Sequence, residues 1–149
     1  MTSTSRPLEL VITRVFDAPR ELVWQAWNDP EHAKRWGPAG FTTPVREFDA
    51  RPGGLWRAVM VSPDGVEYRQ HGVVHEVVPP ERLSFSFIWD AEPDEEMFVE
   101  VTFAEQGART RMTFRQTGFS SVGSRDGHEG GWTEAFDALA TVVQTLAVR

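Results

Sequence analysis

Only one stretch of this 149-residue chain can form a long helix with a continuous apolar face, and it comes last. Trp132, Phe136, Leu139, Val143 and Leu146 recur at alternating four- and three-residue steps, which sets them on one helical stripe. Almost everything before it reads as short, alternating or β-branched segments separated by turn residues. A sheet built from those segments has an apolar face to cover, and this helix is the one element long enough to cover it.

The first segment, Leu8 to Phe16, is β-branched and aromatic and predicts a strand. Asp17-Ala18-Pro19 then starts a short helix, because proline's fixed φ and missing N–H suit a first turn. Leu22, Val23, Ala26 and Trp27 give that helix its apolar face. Asn28-Asp29-Pro30 ends it and begins a second helix, predicted to reach Trp36 before Gly37-Pro38 breaks it. Strands follow over Phe41–Asp49, Leu55–Val61, Val66–Val78, Arg82–Asp90, Met97–Glu105 and Arg109–Thr117. Pro52-Gly53-Gly54, Pro63-Asp64-Gly65, Pro79-Pro80, Glu92-Pro93-Asp94 and Gln106-Gly107 are the turns between them. The reading is an α+β chain with a curved, seven-stranded antiparallel sheet wrapped around the long C-terminal helix. Two short helices lie between strands 1 and 2. One domain spans 1–149, with 1–6 expected to be disordered. Gly130-Gly131 either precedes a final helix beginning near Thr133 or lies inside it, leaving its backbone open to close approach.

A helix with its side chains is about 10–12 Å wide, far narrower than seven strands about 4.8 Å apart. The sheet must curl around the helix or leave part of its inner face uncovered, and either outcome encloses a cavity. Alternation puts Leu83, Phe85, Phe87 and Trp89 on one face, with Met97, Val99, Val101 and Phe103 on one face of the next strand. Met112 with Phe114, and Trp56 with Ala58 and Met60, do the same. The candidate ligand-binding walls are Trp36, Phe41, Trp56, Met60, Phe85, Phe87, Met112, Trp132 and Phe136.

Several chemistries have no residues to carry them. Cysteine is absent, which removes disulfides, thiolate nucleophiles and zinc–thiolate sites. A formal charge of −7 with scattered arginines argues against a nucleic-acid partner. No segment has the length of a membrane helix or the form of a signal peptide, so no membrane insertion and a cytoplasmic location are expected. His71 and His75, four strand residues apart, lie about 13 Å from each other, too far to share one ion. No metal and no cofactor are expected. Glu67, Arg69, His71 and His75 share one strand parity. Outward, they are an ordinary solvated face. Inward, Arg69 and His71 become polar anchors, and His71 a general acid or base. Ser120, Ser121 and Ser124 near His128 read as a flexible lid rather than a nucleophile elbow, and Glu92 to Glu96 as a solvated acidic turn. No catalytic residue is assigned.

The order of the motifs is itself informative. Arg14-Val15-Phe16-Asp17-Ala18-Pro19 with Val23-Trp24, Asp29-Pro30-Glu31-His32 and Trp36-Gly37-Pro38 resembles bacterial relatives of the heat-shock protein 90 ATPase activator. Asp49-Ala50-Arg51-Pro52-Gly53-Gly54, Pro63-Asp64-Gly65, Gly72, Pro79-Pro80-Glu81-Arg82-Leu83 and Glu129-Gly130-Gly131-Trp132 extend the resemblance over nearly the whole chain. It implies a START-like, Bet v 1-like helix-grip fold with a deep cavity under the last helix and a habit of binding hydrophobic small molecules. Lipid carriers, plant ligand binders and polyketide aromatase/cyclases share that superfamily, so the fold alone does not choose among them. The leading expectation is binding of a lipid-, acyl- or aromatic-type molecule. The alternatives are a cyclase- or hydrolase-like enzyme using the same cavity, and an interaction module acting on a chaperone ATPase. Either a monomer or a homodimer joined by an edge strand fits the sequence.

Overall fold

A computed structural model of the chain describes residues 8–148; the expectation for residues 1–6 lies outside them. β1 (Glu9–Phe16) is followed by α1 (Arg20–Asn28) and α2 (Pro30–Ala33). Six strands come next: β2 (Thr42–Phe48), β3 (Leu55–Val61), β4 (Glu67–Val78), β5 (Arg82–Trp89), β6 (Glu92–Gln106) and β7 (Arg109–Thr117). α3 (Val122–Ala147) closes the chain. The strands form one antiparallel sheet in the order β1-β7-β6-β5-β4-β3-β2, so the first strand returns to pair with the last. This is the helix-grip arrangement, with α3 against the concave face.

The predicted alternation holds along the strands. Leu83, Phe85, Phe87, Met97, Val99, Val101, Phe103, Met112 and Phe114 are all buried, and Phe98 between them is exposed. The second half of α3 packs directly on the sheet and on α1 through Phe136, Leu139, Val143 and Leu146. An ion pair from Arg14 of β1 to Asp137 fixes that end of the helix.

Four boundaries differ from the sequence reading. Pro19 occupies the N-cap of α1 rather than its first turn, and α2 is one turn that stops at Ala33, short of Trp36. β6 begins at Glu92, so the acidic residues 92–96 lie in a strand rather than a turn, with the register against β5 shifting between the Trp89–Glu92 and Phe87–Met97 pairs. α3 begins at Val122, so Gly130-Gly131 lie inside it, the second of the two arrangements the sequence allowed, and the serine stretch is its cap and first turn rather than a lid. Ser121 accepts a hydrogen bond from the Ser124 N–H at 3.0 Å. Glu95 of β6 accepts from the Ser120 N–H at 2.8 Å and from the hydroxyls of Ser120 and Ser124. A carboxylate therefore sits where the helix presents its unpaired N–H groups, the favourable end for negative charge.

Candidate functional site: a half-open cavity under the last helix

The first half of α3 meets the sheet through Ser124, His128 and Trp132 and leaves a gap beside them. Gly127 and Gly131, four residues apart on one helical face, carry no side chain to fill the gap. Beneath them lies a cavity of about 390 Å³. Its floor is the inner face of β2 to β5, its roof is α3, and its mouth is the loop 37–41. That loop is tied to the helix by the Ala39 N–H, which donates to Glu134 Oε1 at 3.0 Å.

Five of the nine predicted wall residues line it: Trp36, Phe41, Met60, Phe87 and Trp132. Trp56, Phe85, Met112 and Phe136 face the same interior but belong to the packed core beside it. The Trp56 indole N–H donates to the Ser86 carbonyl at 2.8 Å across Gly72, and its ring packs edge-on to Phe85 at 5.4 Å. Phe136 packs on Phe114 at 5.3 Å, and Met112 is sealed from solvent. Alternation selects the face of a strand; it does not say which end of the strand the cavity occupies.

The polar row lies outside, the first of the two arrangements the sequence allowed, so Arg69 and His71 do not face the cavity. Arg69 pairs with Glu67 at 2.7 Å, and His71 Nδ1 lies 2.6 Å from Asp90, all four residues on the solvated face. The inward residue of that stretch is Gln70, 8% exposed. Strand register puts Arg46 opposite Ala58, Ala58 opposite Gln70, and Gln70 opposite Trp89. These four form one row across β2 to β5, and all of them line the cavity.

At the end of the row the Trp89 indole N–H donates to His128 Nε2 at 2.9 Å. Indole nitrogen only donates, so His128 accepts there and is neutral, with its proton on Nδ1. Burial pulls the imidazole below its ordinary pKa, and the nearby Glu95 charge offsets part of that. Arg46 stands at the opposite end. Its guanidinium carbon lies 5.3 Å from the centroid of the Trp36 ring, and its Nε is buried with no hydrogen-bond partner among the described residues. Burial lowers its pKa to about 10, which leaves it cationic at neutral pH. Arg46, Gln70 and His128 escaped assignment from the sequence. A signal existed for two of them: Arg46 shares the parity of the inward Phe48, and Gln70 takes the opposite parity to the outward row.

The site is thus an apolar chamber with a cation at one end and a neutral imidazole at the other. Among the described residues no three His, Asp or Glu side chains converge as a metal site would require. No helix of the described residues is long and apolar enough to cross a membrane.

Comparison with known proteins agrees with this architecture. Residues 17–144 match the family model described as activator of Hsp90 ATPase homolog 1-like protein. A protein of this type from Silicibacter pomeroyi superposes with a TM-score of 0.84 at 26% identity, covering 93% of this chain and 99% of that one. A protein from Arthrobacter aurescens gives 0.83 at 28% identity, with 93% and 87% covered. CalU16 from Micromonospora echinospora gives 0.70 at 26% identity, with 91% and 75% covered. No curated protein matches the sequence.

Proposed function

The chain belongs to the activator of Hsp90 ATPase homolog 1-like family, and from that premise we propose that it binds a small hydrophobic molecule between the sheet and α3. The observation that carries this reading is the unfilled space beneath Gly127 and Gly131. Interiors pack to nearly crystalline density, and apolar walls left open to water in a chamber of this size mark a place for a ligand. The volume falls within the range of small-molecule pockets, and the walls have their usual character: aromatic and aliphatic surface with a few polar groups.

Burying roughly 300 Å² of apolar ligand surface is worth about 7 kcal/mol before the cost of association. Affinities near micromolar are therefore expected for a purely apolar guest. Native mass spectrometry of the protein from its own cells, beside a denatured sample, tests the reading. A discrete added mass that vanishes on denaturation is the expected result. Bare protein that also fails to take up an uncharged apolar dye would refute it.

A further inference from the structure

We propose that the ligand carries a carboxylate, or an organic anion of the same shape, and that Arg46 receives it. The inference rests on the binding reading above and names the chemical class of its ligand. Arg46 is half-buried against an apolar chamber, and charges drawn partly out of water are normally paired. This one is not. No carboxylate of the described residues lies within ion-pair distance, and burial alone accounts for its perturbed state. The one carboxylate among the lining residues, Glu134, is engaged at the mouth with the Ala39 N–H.

The geometry gives this cation a recognisable task. The Trp36 ring beneath the guanidinium holds its plane by a cation–π contact. Trp36 is itself fixed by its indole N–H, which donates to the Ala26 carbonyl at 3.0 Å. The Nε is sealed from the chamber, and the two Nη groups, neither sealed nor hydrogen-bonded among the described residues, offer the end-on fork that matches the two oxygens of a carboxylate. Ala58, the next residue in the row, is small and leaves room for that head group between Arg46 and Gln70. The apolar body of the ligand then runs under α3 along Met60, Phe87 and Trp132.

The test is displacement of the uncharged dye N-phenyl-1-naphthylamine by three compounds of one shape: 2-naphthoate, 2-naphthalenemethanol and 2-naphthylmethylammonium. The wild-type protein is expected to prefer the carboxylate over the alcohol roughly tenfold or more, and to bind the ammonium worst. In Arg46→Gln the ratio of carboxylate to alcohol is expected to collapse toward one, each affinity being referred to the dye affinity measured for that same variant. Arg46→Met, measured without ligand, is expected to melt above wild type, because it removes an unpaired charge. Equal binding of carboxylate and alcohol by the wild type, with the dye still bound, would overturn the anion assignment and leave the cavity reading standing. Absence of dye binding altogether would overturn the cavity reading, and the assignment with it. A preference that survives in Arg46→Gln would place the anion elsewhere and refute the role of Arg46.

Discussion

Two residues show how single side chains, or their absence, hold the site in shape. Gly72 lies opposite Trp56, and a Cβ there would collide with the Ser86 carbonyl and the Trp56 indole nitrogen. Gly72→Ala is expected to lower stability by about 1–3 kcal/mol, the usual range for overpacking, as read from denaturant unfolding. It should also release the Trp56 hydrogen bond, visible as a shift in tryptophan emission. His128 makes a pH prediction. Its native pKa lies below the ordinary histidine value of about 6.5, so between the two values the unfolded chain takes up a proton that the fold refuses. Stability contributed by His128 is therefore complete above the ordinary value and is lost as pH falls through the lowered one. Melting curves from about pH 8 to pH 5 should show this loss in wild type and a shallower slope in His128→Gln. An unchanged slope would mean that the Trp89–His128 contact does not require the neutral ring.

At the scale of elements, periodicity made most of the fold legible. Strand alternation and the four-three stripe of α3 need only the sequence, because each reports which face meets the core. The start of α3 was not legible in the same way. Gly123, Gly127, Gly130 and Gly131 each argue against a helix by propensity, while the compensating groups come from β6, 25 or more residues away. The acidic stretch was misjudged for the same reason: Glu95 looks like a solvated turn until the serines of α3 are brought to it. Burial raises its carboxyl pKa, but the hydrogen bonds from Ser120 and Ser124 outweigh that and leave it below the usual value. If the glycines serve the cavity rather than the helix, they should differ in their response to substitution. A Cβ at Gly130 would enter open space, and Gly130 does not line the cavity. Gly130→Ala is expected to stabilise by about 1 kcal/mol without altering ligand binding, measured by thermal melting and dye titration. Stability unchanged or reduced would show that the bare backbone is needed for the fold itself.

For the whole molecule, one division of labour accounts for both the packed half and the empty half. The second half of α3 is spent on the core with β1, β7 and α1, and its first half is capped from β6, touches the sheet at His128 and Trp132, and roofs the chamber beside them. Between them Trp132 is pinned by its indole N–H, which donates to the fully buried Gln116 at 2.8 Å. That bond lets a rigid core end where an open chamber begins. The candidate walls were half legible because pattern gives the inward face, while the length of each strand that faces the gap depends on how the sheet curls. The polar ends of the chamber depend on register across four strands, which no single segment reveals. The most direct measurement is titration of N-phenyl-1-naphthylamine into wild type and Gly131→Leu. Leucine at 131 puts its side chain into the chamber, where a Cβ meets nothing closer than Pro38 at 4.0 Å. Saturable binding by wild type, lost in a variant that remains folded, is the predicted result. Equal binding by both proteins, or none by either, would contradict a ligand site beneath the helix.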